Sequence, residues 1–336
     1  MDSAIPPVGP DPASARHWIG NVMGGAVDGA SEEVQSLWSG YGRIERFTVT
    51  LPNGTSRSVI LKAVVPPRGP VDHPRGFGTN LSHQRKLKSY EIEHTFYRDF
   101  SEQLNGFEIA RVPQLLGQAQ SEVGSLLLLE DLDAAGLDGR RQHLDPAEVA
   151  RCLGWLAEFH GRFMGTVPTG LWARGTYWHL ATRPDEWEAI DNESVRCAAH
   201  AIDAQLSAAQ YATLVHGDAK LANFCFGADR VAAVDFQYVG GGVGVQDVAY
   251  FLGSCLDDAA LEERAEGYLD QYFETLLLAL ERFHPDMDGG AIEKEWRALW
   301  PTSWADFHRF LLGWSPGHWK LSRYSETMLE VALGSL

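Results

Sequence analysis

Two periods of apolar and polar alternation run along this chain, and they divide it. From Val34 the pattern is strand-like: VQSLW, a turn SGYG at 39–42, RIERFTVTL, PNGT, then SRSVILKAVV. Two apolar runs joined by Pro-Asn-Gly-Thr predict a hairpin, so the chain opens as an antiparallel sheet. PPRGPVDHPRGFGTN predicts a loop. SHQRKLKSYEIEHTFYRDFSEQL then changes to helical spacing, with Leu87, Tyr90, Phe96, Tyr97 and Phe100 pointing inward. VPQLLGQAQ and SLLLLEDL complete the sheet. In PAEVARCLGWLAEFHGRFMG, Val149, Leu153, Leu156, Phe159 and Phe163 share one helix face, and helical patterns dominate the remainder of the chain.

The reading is therefore an N-terminal arm or helix over 1–30, a small β-rich lobe over 31–132 with one main helix, and a larger α-helical lobe over 133–336. One β signal interrupts the helices. Asn223 to Phe226 and Val231 to Val234 flank Gly227-Ala228-Asp229-Arg230, which predicts a second hairpin.

Composition narrows the class. At 336 residues, 45% apolar and 22% charged, the chain is long enough for a sizeable core. It has no run of roughly 20 apolar residues that would span a membrane. MDSAIPPVGPDPASARHW lacks the basic and apolar regions of a signal peptide, so a cytoplasmic location is expected. Cys152, Cys197, Cys225 and Cys255 show no metal-ligand or disulfide spacing and read as small buried residues. The net charge of −17 argues against nucleic acid as a ligand. Nothing in the sequence addresses oligomeric state.

The chemistry concentrates in LVHGDAKLANF at 214–224. Alone, His216-Gly217-Asp218 is compatible with a polar turn and Asp235 with a strand-end cap. Together the spacing is more specific: a carboxylate at 218, an amide at 223, a hairpin, then Asp235-Phe236-Gln237. Phosphoryl transfer needs just such parts, namely an acceptor-orienting carboxylate and oxygen ligands for magnesium. Lys62 stands in an apolar strand where an unpaired ammonium would be costly to bury.

This order resembles the protein-kinase-like fold in its aminoglycoside phosphotransferase and choline kinase branch. HGDAKLANFCF, VDFQYVGGGVGVQDVAYFLGS and SHQRKLKSYEIEHTFY look closest to the ecdysteroid-kinase-like, or CHK-kinase-like, subgroup. The resemblance spans about residues 34–260. It implies a bilobal α+β fold that binds ATP between its lobes and uses Mg2+. It makes Asp218 the catalytic base or acceptor-orienting residue and gives Asn223 and Asp235 the metal. Lys220 would contact the transferred phosphate, and His216 would be structural. Lys62 would meet the nucleotide phosphates and pair with Glu93, Glu91 being the competitor two positions away. Gly40 and Gly42 of SGYG take the place of the nucleotide loop, although the pattern departs from Gly-x-Gly-x-x-Gly. Glu130 and Leu132 would offer hinge backbone groups to adenine. Asp247, an N-cap candidate, would brace the catalytic loop.

The implied activity is transfer of the γ-phosphate of ATP to a hydroxyl of a small molecule; a catalytically silent nucleotide-binding module is the alternative. A protein kinase fits less well, because Gln246 stands only eleven positions after Asp235 and no Ala-Pro-Glu is present. The acidic balance favours a cationic acceptor such as an aminoglycoside or amino alcohol, and the tryptophans favour an apolar ring system such as a sterol or macrolide. GGGVG at 240–244 reads either as a flexing segment near the site or as a plain loop. Trp304, Phe307, His308, Leu311 and Trp314, followed by His318, Trp319 and Lys320, read either as a core-packing stripe or as an acceptor wall; Tyr177, Trp178 and His179 divide the same way.

Overall fold

The computed structural model describes residues 12–37, 40–67, 80–104 and 109–336. Of the arm or helix expected over 1–30, residues 1–11 lie outside the described residues. So do Ser39 of SGYG and residues 68–79 of the Pro/Gly loop. Among the described residues, those up to 104 and from 112 to 138 form one compact unit; those from 109 to 111 and from 139 onward form the other.

The first unit is built on a five-stranded sheet. It contains α1 (Pro12–Met23), β1 (Ala26–Ser36), β2 (Gly42–Thr50), β3 (Ser56–Val64), α2 (Asn80–Asp99), β4 (Leu115–Ser121) and β5 (Gly124–Glu130), with strand order β1-β2-β3-β5-β4 and every neighbour antiparallel. Trp18 and Ile19 of α1 pack on one face against Phe47, Val49, Val59, Leu61, Ala119, Leu126 and Leu128. Side chains alternate across a strand, so Val59 and Leu61 facing α1 send Lys62 and Val64 to the opposite face. There Val64 meets Tyr90 of α2. Of the inward positions expected on α2 and just beyond it, Tyr90, Phe96, Tyr97 and Phe100 are buried and Leu87 is partly so.

β1 starts at Ala26 rather than Val34. Its residues AVDGASEEVQS are nearly all exposed, and two register shifts interrupt its pairing with β2. An edge strand wet on both faces has no alternation to detect, and its pairing is what makes it a strand. Between β1 and β2 the Leu37 amide donates to the Gly42 carbonyl at 2.8 Å. Gly42 itself lies in β2 at φ 139°, and a Cβ there would sit 1.9 Å from the Ala63 carbonyl oxygen.

The second unit begins with α3 (Pro146–Arg162). Asp145 and Glu148 form a capping box at its start and Pro146 takes the first turn. Val149, Leu153, Leu156, Phe159 and, just past the helix, Phe163 are all fully buried, as the spacing predicts. The chain continues through α4 (Pro184–Glu188), α5 (Glu193–Ser207), β6 (Thr213–Val215), β7 (Phe224–Phe226), β8 (Val231–Ala233), β9 (Gly240–Gly242), α6 (Val245–Cys255), α7 (Asp258–Phe283), α8 (Gly289–Ala298), α9 (Trp300–Trp314) and α10 (Arg323–Ser335). β7 and β8 form the expected hairpin, Phe224 opposite Ala233. β9, within GGGVG, pairs with β6, so those glycines are sheet rather than a flexing segment. Cys152 and Cys225 are buried, but Cys197 is exposed on α5, against the expectation for it. No helix among the described residues is long and apolar enough to cross a membrane.

Gly42→Ala should destabilise the protein by about 1–3 kcal/mol through backbone strain, read as a lower urea midpoint with unchanged slope. An unchanged midpoint would contradict the close approach of β2 to the Ala63 carbonyl.

Candidate active site

β6 ends at Val215, and the loop after it is held from beneath. Asp247 is fully buried; its Oδ2 accepts the His216 amide at 2.5 Å and its Oδ1 the Gly217 amide at 2.9 Å. His160 Nε2 lies 3.1 Å from the same Oδ2, and His160 Nδ1 lies 2.9 Å from the Tyr272 hydroxyl. With Nε2 donating to the Asp247 carboxylate, Nδ1 of the neutral ring accepts from the Tyr272 hydroxyl, whose pKa burial first and Asp247 second push well above its usual range. Asp247 is not the helix cap: α6 starts two residues earlier, with Gly244 at the N-cap. The carboxylate thus lies within the first turn, turned towards the loop it braces.

His216 has one protonation pattern that satisfies both nitrogens. Nδ1 accepts the Asp218 amide at 3.2 Å, so Nε2 carries the hydrogen and donates to the Val234 carbonyl at 3.1 Å. Its ring packs 4.7 Å from Phe236 and edge-on to Trp155. Both nitrogens are thereby engaged with the backbone. Gly217 sits at φ 76°, and a Cβ would fall 2.2 Å from the Tyr238 carbonyl oxygen and 2.6 Å from the Thr176 nitrogen. No larger residue fits between histidine and aspartate here.

This scaffold fixes Asp218, which is 6% exposed. Its Oδ2 accepts Lys220 Nζ at 2.7 Å and Asn223 Nδ2 at 3.2 Å; its Oδ1 accepts the Tyr250 hydroxyl at 3.1 Å. Asn223 Nδ2 also reaches the Asp218 carbonyl at 2.8 Å, closing the loop on itself. Burial pulls Lys220 down, but the charges of Asp218 and Asp235 outweigh it and hold the ammonium above its usual value. Lys220 therefore stays charged among these two carboxylates. A carboxylate offers about four lone-pair sites, so Asp218 keeps one open, on Oδ1.

The hairpin of β7 and β8 returns the chain to Asp235. Its backbone is left-handed at φ 71°, a conformation Asp tolerates better than most residues, and Gln237 Nε2 donates to its Oδ1 at 2.7 Å. Among the described residues no three His, Cys, Asp or Glu side chains cluster as a metal site by themselves.

In the first unit Lys62 is 5% exposed and its Nζ lies 2.6 Å from Glu93 Oε2. Glu91 is exposed on α2, so of the two glutamates it is Glu93 that turns to Lys62. Glu130 is the last residue of β5; its side chain accepts the Gln114 amide at 3.1 Å. The Leu132 carbonyl takes the amides of Ala135 and Leu137. Asp131 between them is tied to Arg46 at 2.7 Å and Ser58 at 2.6 Å. Gly40 is exposed at φ 72° with no heavy atom within 4 Å of a built Cβ, whereas the close approach at Gly42 is to the sheet.

Tyr250 escaped the sequence reading. Its signal was its place three residues after Asp247, which puts both on one face of α6. The ties of Asp131 to Arg46 and Ser58 have no local signal and appear only once the strands have packed. Trp178, Phe307 and Leu311 are core, as one reading of those aromatics had it, while Tyr177 and Trp314 are partly open.

A family model described as APH, phosphotransferase enzyme family, matches residues 71–285. No curated protein matches the sequence. Among solved structures, a choline kinase from Cryptosporidium parvum Iowa II is similar with 11% identity and a TM-score of 0.51, covering 91% of this chain and 88% of that one. Amicoumacin kinase hAmiN in complex with AMP-PNP, Ca2+ and Ami is similar at 14% identity, covering 90% and 87%, with a TM-score of 0.47. Aminoglycoside phosphotransferase APH(3'')-Id from Streptomyces rimosus, in complex with ADP and streptomycin, is similar at 15% identity, covering 86% and 98%, with a TM-score of 0.43. At 11% identity the likeness to the choline kinase speaks for the fold alone. The expected α+β architecture is present, a five-stranded antiparallel N-terminal sheet with a helical C-terminal part, and it matches the kinase-like fold of that choline kinase.

Asp247→Asn should keep the shape but turn an NH2 towards a backbone or imidazole donor. Leaving one such donor unmet costs about 1–3 kcal/mol, so the denaturation midpoint should fall. A midpoint equal to wild type would remove Asp247 as the brace.

Proposed function

The chain belongs to the APH phosphotransferase enzyme family, and from that premise we propose that it moves the γ-phosphate of Mg-ATP to a hydroxyl of a small molecule. The observation that carries this reading is the Asp218 carboxylate, bonded by Lys220, Asn223 and Tyr250 yet keeping one lone pair on Oδ1. That lone pair is suited to accept the hydrogen of an acceptor alcohol. As the new O–P bond forms and the bond from the γ-phosphorus to its bridging oxygen breaks, the hydroxyl proton passes to Asp218 and the negative charge leaves with ADP. Asp218 here chiefly orients the hydroxyl, and Lys220, held charged beside it, stabilises the transferring phosphoryl group.

Asn223 and Asp235 are the residues that would hold magnesium. Their oxygen donors suit a hard cation, and so few protein ligands suit an ion that keeps waters and binds substrate phosphates. When bound, the ion neutralises charge on those phosphates. Gln237 fixes the Asp235 carboxylate for this role. Lys62, kept in place by Glu93, is the cation for the nucleotide phosphates. Gly40, open on its side-chain side, leaves backbone free to approach them, and Glu130 and Leu132 offer backbone groups to adenine. The Leu132 carbonyl is committed to Ala135 and Leu137, so its amide is the group we assign. The motifs HGDAKLANFCF and VDFQYVGGGVGVQDVAYFLGS place the chain, on our reading, nearest the ecdysteroid-kinase-like subgroup. Dependence on ATP suits a cytoplasmic setting.

Asp218→Ala should lower acceptor-dependent ADP release about a thousandfold while calorimetry still detects Mg-ATP binding. The screen behind that measurement covers aminoglycosides, amino alcohols, nucleosides, sterols and sugars. Turnover at the wild-type rate would take Asp218 out of the reaction. Asp235→Ala should instead weaken Mg-ATP binding itself, and an unchanged calorimetric titration would count against its metal role.

A further inference from the structure

Lys320 lies in the turn between α9 and α10. Nζ sits 4.3 Å from the centre of the Tyr250 ring, 5.5 Å from Phe307 and 5.6 Å from Trp319. No salt bridge given for the described residues includes it; the faces of three rings lie against the charge, with Asp218 near enough to pull on it. The Tyr250 ring on which it rests is the one whose hydroxyl donates to Asp218. Lys320 is thus one aromatic ring away from the carboxylate that would take the acceptor's hydrogen.

Two aromatic side chains around it are open to solvent at the edge of the buried cluster. Tyr177, half-buried, meets the edges of Tyr250, Phe307 and Phe310, and Trp319 is 64% exposed beside Lys320. The turn is fixed rather than loose: the Lys320 amide donates to His318 Nδ1 at 3.2 Å, and Trp314 and Trp319 flank that imidazole. Burial lowers Lys320 to about 8, against the pull of Asp218 and Cys255 and with the push of Lys220. A cation so placed gains most from an anion and repels a second cation.

We propose that Lys320 is a specificity-determining residue of the acceptor site, which takes a hydroxylated ring compound bearing an anionic group and disfavours cationic acceptors. This rests on the phosphotransferase reading for what the site does, but not for whether it binds. The proposal reverses what the net charge of −17 suggests about the acceptor. Long-range charge steers encounter, whereas the group beside the reacting atoms decides what can dock there.

The test uses three compounds of one shape: 4-(hydroxymethyl)benzoate, 1,4-benzenedimethanol and 4-(hydroxymethyl)benzylamine. Their equilibrium binding to the full chain, without nucleotide, is measured by ligand-observed NMR. The result therefore stands even if no phosphate is transferred. A charge-assisted hydrogen bond predicts that the acid binds about tenfold or more tightly than the amine, that Lys320→Met brings the two together, and that Lys320→Arg keeps the order. The proposal is overturned by an amine that binds as well as the acid, by an acid that does not bind, or by Lys320→Met leaving the order intact. A Lys320→Met variant whose only change is weaker Mg-ATP binding would assign the lysine to the phosphoryl group instead, and would also overturn it.

Discussion

A single buried carboxylate, Asp247, carries the geometry of the loop that presents Asp218. Two consecutive backbone amides in a sharp turn have no ladder to join, and leaving them unpaired away from water would cost as much as lost hydrogen bonds. Asp247 accepts both and also meets His160, which Tyr272 supplies with a hydrogen bond in turn. Charge-assisted bonds of this kind are stronger than neutral ones. The chain from α7 through α3 to α6 therefore holds a turn that would otherwise have several conformations. Everything Asp218 can do depends on that turn, because a carboxylate acts on a substrate only where its backbone has placed it.

A second buried charge has a different logic. Lys62 and Glu93 are nearly inaccessible, and removing two charges from water is expensive enough that such a pair adds little net stability. Its retention makes sense as placement. The sheet dictates which face Lys62 takes, the helix dictates where Glu93 stands, and the ion pair sets the ammonium at one point. The same reasoning applies to Arg46 and Asp131, which tie the end of β5 to β2.

Much of this was legible in the chain. The hairpin of β2 and β3, the helix α3 and the short hairpin of β7 and β8 all follow from local alternation and turn chemistry. The spacing of Asp218, Asn223 and Asp235 survives in sequence because the segment between them is short and its turns leave few paths. What escaped did so for identifiable reasons. β1 is polar on both faces, so pairing rather than pattern defines it. For Asp247 it is the N-cap reading alone that fails: Asp is a good cap, but α6 begins at Val245 with Gly244 at its N-cap.

The sequence by itself determined the class of fold, and it singled out the loop we propose for the chemistry and the residue types within it, since each rests on neighbours in the chain. Tertiary structure alone decided which groups those residues meet. Tyr250 reaches Asp218 across 32 positions and Lys62 reaches Glu93 across 31. Lys320 comes to rest over the Tyr250 ring from a turn seventy residues further along. No local rule encodes such pairs, because they exist only once separate elements have packed and the remaining space leaves each side chain one place to go.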